Sequence, residues 1–323
     1  MRLNIMALGD VGQNALLGLK LLSGGLVDEI GIYDINENLV KRLEIEMGQI
    51  AYASSGDADC ADCDDLGDAD CADCDGETRT MPTVIAIGED ELLDCDVILF
   101  CATRGVPPIG EGGDVRMAQL EANGELVREL GNRIKGENKN GESVPELVLI
   151  MSDPVDQLCN IMLESSELQP ERIRGLGLGV MNARARYFAE RDSRFESYLR
   201  GGRVFGPHGK NLIVANGIEN YDDEISRDLT ELVVNANMRV RELGYKPYIA
   251  PAISSGALSI IEMLKGNWTY GSVYLENPFG AEGSSYFGMM SRLTENGWEV
   301  EELNLPYELL LRLKESFEEE LRR

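Results

Sequence analysis

Apolar positions along the chain fall into two alternating kinds of segment. Short continuous runs, Leu3–Leu8, Thr83–Ile87, Asp96–Ala102 and Leu147–Met151, read as buried strands, and Glu29–Tyr33 joins them. Between them come stretches with helical spacing: one through Leu16, Leu17, Leu19 and Leu21, one over Glu37–Ile50, and one over Val115–Ile134. The polar stretch Lys135–Ser143 reads as a connector. Five strands separated by helices or loops predict a parallel sheet wound on both faces.

The second half mixes elements. Glu171–Gly179 is apolar and rich in glycine. Helices are predicted over Met181–Arg191, Asp222–Leu243, Ile253–Lys265 and Pro306–Arg322. Thr269–Leu275, Ser284–Met289 and Glu299–Leu303 read as antiparallel strands. The fold class is therefore α/β: a doubly wound Rossmann sheet over 1–152, followed by an α+β domain over 153–323.

The first strand runs into Gly9-Asp10-Val11-Gly12, then a helix, then a strand ending in Asp34. Glycines let the backbone approach a pyrophosphate, and the helix N-terminus offers it free N–H groups and a positive dipole end. An acid about 20 residues on accepts hydrogen bonds from a ribose diol. Asp34 lies 22 residues after Gly12. Ala7 stands where the first glycine of such a turn usually sits. The unit predicts a dinucleotide site formed by Gly9, Asp10, Val11, Gly12 and Asp34, with a plain strand–helix–strand unit as the alternative. Asp34 would repel a 2′-phosphate, which favours NAD over NADP.

His208 is the only histidine among 323 residues. It sits in the turn Gly206-Pro207-His208-Gly209, at the end of an element. An ordinary loop histidine would look the same. If a histidine moves protons here near neutral pH, it is this one.

The formal net charge is -27, from 57 acidic and 30 basic side chains. Nucleic acid and anionic membranes are poor partners for such a surface. Only eight of the basic residues are lysines, a balance that adaptation to high salt or codon bias would produce. No apolar run reaches the roughly 18 residues of a membrane span, and no signal segment opens the chain, so the expected location is cytoplasmic.

Part of the charge is local. The nonapeptide GDADCADCD occurs twice in the insert 56–75, which holds nine aspartates and places Cys60, Cys63, Cys71 and Cys74 as CxxC-x7-CxxC. Four thiolates at that spacing could close a zinc or iron–sulfur site. A recent tandem copy in an acidic loop gives the same spacing without metal. Cys95, Cys101 and Cys159 read as buried small hydrophobes.

With these residues laid out, the chain resembles the lactate/malate dehydrogenase family from end to end. The carriers are residues 3–34, Arg116 with Asn123, Ser152-Asp153-Pro154-Val155-Asp156, Ala183-Arg184-Ala185-Arg186-Tyr187, Gly206-Pro207-His208-Gly209, Tyr248–Ala252 and Ser272–Leu275. The resemblance implies NAD as cofactor, a small 2-hydroxy or 2-oxo acid as partner, and a homodimer or homotetramer. His208 would exchange the hydroxyl proton, Arg184 would grip the carboxylate, and Arg116 would polarise the carbonyl.

Two departures stand out. The family carries an aspartate partner for its histidine three residues before the substrate arginine, where this chain has Met181. Its turn asparagine is Asp153 here. Asp153 is expected to replace the lost carboxylate beside His208, or else the site is degraded. The stretch from Gly105 to Val115 has no arginine and carries Glu111, which argues against a dicarboxylate and leaves a monocarboxylate or a substrate with a cationic end. The implied activity is an NAD-dependent 2-hydroxy acid dehydrogenase. The alternative is an inactive NAD-binding homologue with a regulatory or metal-sensing role.

Overall fold

The computed structural model describes residues 1–51, 80–104 and 115–322, and of 115–118 the backbone alone. The strands β1 (Arg2–Met6), β2 (Glu29–Tyr33), β3 (Thr83–Ala86), β4 (Val97–Phe100), β5 (Leu147–Ile150) and β6 (Ile173–Gly175) are parallel, in the order β3-β2-β1-β4-β5-β6. Every residue of β4 and β5 is buried, as expected for strands covered on both faces.

The helices α1 (Asp10–Leu22), α2 (Glu37–Gly48), α3 (Val115–Asn140) and α4 (Val155–Ser166) belong to this half. Asn36 caps α2, its side chain accepting the Leu39 N–H at 3.2 Å. The polar connector expected at 135–143 is instead mostly the last turns of α3. Charge pairing carries the helix on: Arg133 meets Glu137 at 2.8 Å, and Lys135 and Lys139 meet Glu167 at 2.7 and 3.0 Å.

The second half begins with α5 (Leu178–Ala189) and the short α6 (Tyr198–Gly201). The hairpin β7 (Arg203–Phe205) and β8 (Ile213–Ala215) follows, then α7 (Asp223–Val234) and α8 (Ala236–Glu242). The single helix expected over 222–243 is broken at Asn235, whose side chain donates back to the Glu231 carbonyl at 3.0 Å. A π-wound stretch, Pro251–Leu258, runs into α9 (Ser259–Leu264). Then come β9 (Thr269–Glu276), β10 (Ser284–Thr294), β11 (Gly297–Val300) and α10 (Tyr307–Leu321).

The three last strands continue the same sheet, β10 antiparallel to both β9 and β11, and among the described residues the sheet has nine strands. The join is one residue pair, Gly175 opposite Ser272. A Cβ on Gly175 would lie 2.5 Å from Val155 and 2.8 Å from the Ser272 side chain, so only glycine fits there. The sixth parallel strand, β6, was not expected from the sequence. Its middle residue is Arg174, fully buried, bonded to Ser291 at 2.9 Å and Thr269 at 2.8 Å and lying over the Trp298 ring. A buried arginine erased the apolar run that would have marked the strand.

Candidate active site

At the C-terminal end of β1 the chain turns through Ala7 with φ of 76°, the left-handed region that glycine favours. Gly12 is pressed against that turn: a Cβ there would stand 2.2 Å from the Ala7 carbonyl oxygen. Around Gly9, by contrast, a Cβ would meet nothing within 4 Å. This combination leaves open space before the N-terminus of α1, where a pyrophosphate can meet the unpaired N–H groups. Asp34 lies beside it. One carboxylate oxygen accepts the Leu8 N–H at 2.7 Å, the other the Asn36 N–H at 2.9 Å. Each oxygen keeps a lone pair for a ribose hydroxyl. Asp10 pairs with Lys246 at 2.8 Å, which offsets an acid that would repel phosphate. The residues present fit a dinucleotide.

His208 lies in the loop of the β7–β8 hairpin, with its side chain 18% exposed. Its Nδ1 meets the Gly177 carbonyl oxygen at 2.9 Å. A carbonyl only accepts, so Nδ1 carries the hydrogen and Nε2 is left as the basic nitrogen. The Gly177 carbonyl also accepts the Ser255 hydroxyl at 3.0 Å, and Ser255 in turn accepts the Val180 N–H at 2.8 Å. Ser255 is buried in the π-wound stretch. The imidazole packs so closely that a Cβ on Gly177 would lie 2.7 Å from the His208 Cβ and 3.0 Å from Nδ1. Behind the ring, the His208 main-chain N–H donates to Asp156 at 3.3 Å.

Nε2 looks toward Asp153, 3.9 Å from its Oδ1. Asp153 ends the segment after β5, half exposed, and its backbone is held firmly. The Asn123 amide, fully buried, donates to the Asp153 carbonyl at 2.7 Å and accepts the Arg104 N–H at 2.7 Å. Next to it the Ser152 hydroxyl donates to the Ala102 carbonyl at 2.6 Å. From α5, Arg184 extends its guanidinium into the same region. Burial lowers its pKa and the Asp153 charge opposes that. Its nearest acceptors are the Met181 sulfur at 3.6 Å and the Val233 carbonyl at 3.5 Å, both long contacts.

The structure thus brings His208, Asp153 and Arg184 together, and groups Gly9, Asp10, Val11 and Gly12 with Asp34. Met181 is 3% exposed in an apolar cluster with Ala185, Phe188 and Val233, so the position that would hold a carboxylate partner holds a thioether. The backbone of Arg116 lies in the first turn of α3, but its side chain is outside the described residues. Gly105–Asp114 and Cys60, Cys63, Cys71 and Cys74 also lie outside them. Among the described residues no group of three or more His, Cys, Asp or Glu could hold a metal ion. Sequence reasoning missed Gly177 and Ser255. The only signal for Gly177 was the density of glycines over 175–179, each of which allows a close approach.

Two curated relatives align along most of the chain. A probable malate dehydrogenase from Campylobacter jejuni is 24% identical over 308 residues, covering 92% of this chain and 90% of its own. An L-lactate dehydrogenase from Bacillus caldotenax is 24% identical over 332 residues, covering 95% and 91%. No family profile matches the chain. Among solved structures, a lactate dehydrogenase from a Medee basin deep-sea metagenome library superposes with a TM-score of 0.73 at 18% identity, covering 99% of this chain and 96% of that one. Along nearly its whole length, at low identity, the chain is similar to lactate and malate dehydrogenases, and it shares the fold of a lactate dehydrogenase.

Proposed function

We propose that the protein is an NAD-dependent oxidoreductase of 2-hydroxy and 2-oxo acids, with His208 as acid and base. The observation that carries this reading is the anchored imidazole: Nδ1 is committed to the Gly177 carbonyl and Nε2 is turned toward Asp153 and the region of Arg184. The relatives' names support the reaction class. When bound, NAD supplies the hydride acceptor. This chain's residues do the rest. The α1 N-terminus and Gly9–Gly12 hold the pyrophosphate, Asp34 holds the ribose diol, Arg184 orients the substrate carboxylate, and Nε2 takes or returns one proton. Arg116, from the start of α3, is proposed to polarise the C2 oxygen. In this reading residues 1–152 carry the cofactor and 153–323 the substrate.

A rival reading, an NAD binder without turnover, draws support from Met181. The two separate in one screen: 2-oxo acids offered with NADH, read by absorbance, should show consumption of NADH with at least one of them. Calorimetry with both cofactors should favour NAD, and equal or tighter NADP binding would refute the role given to Asp34. We also propose a cytoplasmic homodimer or homotetramer. The exposed Leu17, Leu21 and Leu22 of α1 and Leu243, Ile249 and Leu258 beyond α8 support self-association. No helix among the described residues is long and apolar enough to cross a membrane.

A further inference from the structure

The charges around His208 have an order that a 2-hydroxy acid does not use. Asp153 presents a half-exposed carboxylate 3.9 Å from Nε2, on the side of the ring where the reacting group must approach. Its backbone carbonyl is held by Asn123, and the preceding Ser152 is tied to Ala102. Arg184 offers a guanidinium within its field, with only long contacts to Met181 and Val233. Among the described residues no salt bridge joins Asp153 to Arg184. The site therefore shows a ligand one cation, Arg184, and one anion, Asp153, with Nε2 of His208 3.9 Å from the anion.

A ketone or hydroxyl oxygen gains little from the anion. An ionised carboxylate cannot donate a hydrogen bond to a carbonyl, and it repels the negative charge that grows on oxygen as hydride adds. A C2 nitrogen reverses both signs. An ammonium donates to the carboxylate, and an iminium remains cationic beside it.

We propose that this pocket takes 2-amino acids, the carboxylate on Arg184 and the C2 ammonium on Asp153. Asp153 is then the residue that selects nitrogen over oxygen at C2. The proposal rests on the oxidoreductase reading and changes only the atom attached to C2. The balance is that of an amine oxidation. Nε2 removes one proton from the ammonium, the C2 hydrogen leaves as hydride to NAD, and water hydrolyses the resulting iminium to a 2-oxo acid and ammonium. In the reverse direction, ammonium or an amine condenses with a 2-oxo acid and the iminium so formed takes the hydride.

The test uses matched pairs that differ only at C2: L-alanine with L-lactate, L-leucine with L-2-hydroxyisocaproate, and L-phenylalanine with L-phenyllactate. Each is titrated calorimetrically into the full-length protein with NAD present, and NADH formation is followed in parallel. In at least one pair the amino acid should bind about tenfold or more tightly than its hydroxy partner. Asp153→Asn, which keeps the side chain's shape, should remove that preference and leave the hydroxy acid bound no more weakly. The proposal is overturned if the hydroxy acid binds more tightly in every pair, if Asp153→Asn leaves the ratio unchanged, or if no compound binds. NAD affinity, measured separately on the same samples, tells the failures apart. Retained NAD binding with oxidation of hydroxy acids removes only the amino acid proposal. Absence of NAD binding removes the oxidoreductase reading as well.

Discussion

The imidazole of His208 donates through Nδ1 to the main-chain carbonyl of Gly177 at 2.9 Å. A carbonyl fixes the tautomer as a carboxylate would, but brings only a partial charge to the imidazolium. The two tasks of a carboxylate partner are therefore divided. Gly177 meets the ring at Nδ1, and in the proposed function Asp153, 3.9 Å from Nε2, would supply the charge from the other side.

Adding one carbon at Gly177 tests the first half of that division. Gly177→Ala would set a methyl group 2.7 Å from the His208 Cβ and displace the ring. A misplacement on the order of 1 Å costs roughly 10²-fold in rate. We expect kcat to fall by about that factor, with NAD affinity unchanged by calorimetry. Ser255→Ala should act in the same direction more weakly, since it leaves the Val180 N–H without its acceptor and loosens the Gly177 carbonyl. An unpaired buried N–H costs about 1–3 kcal/mol, so its melting temperature should also drop. Full activity in Gly177→Ala would show that the ring is placed by something else.

Met181→Asp restores an acid at the position of the missing partner, yet it should not improve the enzyme. Nδ1 already has its acceptor, and the nearest cation to the new carboxylate is Arg184, whose Nη1 touches the Met181 sulfur at 3.6 Å. The new acid would draw Arg184 away from substrate. The expected result is a raised KM with little gain in kcat, and a lower melting temperature from the charge placed in an apolar cluster. A raised kcat at unchanged KM would mean that the new carboxylate reaches His208.

Much of the fold was legible because parallel strands buried on both faces print themselves as apolar runs, as in β4 and β5. Where burial was shared with charge the pattern failed. Arg174 hid β6, and the charged last turns of α3 looked like a connector although their ion pairs sustain the helix. In the candidate site, His208, Asp153 and Arg184 stood out in the sequence because the proposed chemistry would use their side chains. Gly177 was not, because its contribution is a carbonyl that every residue possesses. What marks it is the Cβ it lacks, and that constraint is visible only once the imidazole is seen against it.

Asp156 makes stability depend on pH. It is 2% exposed and its carboxyl is pushed up to about 7, first by burial and then by the charge of Glu320. A carboxyl whose pKa is higher in the folded than in the unfolded chain favours folding while protonated. That contribution is complete below the ordinary value of 3.8 and is lost as pH rises through about 7. It amounts to a few kcal/mol on the order-of-magnitude conversion of about 1.4 kcal/mol per pKa unit. Asp156→Asn keeps an oxygen acceptor for the His208 N–H and removes the titration. Melting followed from about pH 5 to about pH 8 should show the parent losing stability relative to the variant. Parallel curves would rule out Asp156 as the source.

The repeat at 56–75 is expected to be dispensable, since a 20-residue acidic stretch with almost no apolar residues has no core to offer. Deleting Gly56–Asp75 should leave melting and NAD affinity nearly unchanged. About one zinc ion or one cluster per purified chain, together with unfolding on deletion, would instead establish a metal site at Cys60, Cys63, Cys71 and Cys74.

Asn123 has a consequence for how this protein can change. Its buried amide holds Arg104, the residue just before 105–114, and the carbonyl of Asp153. The helix that carries Asn123 begins at Val115, the residue just after. The main chain at Arg104 and the acid beside His208 are thus held by one side chain. A displacement of the main chain at Arg104 therefore reaches Asp153 through a single amide, so the two places move as linked parts.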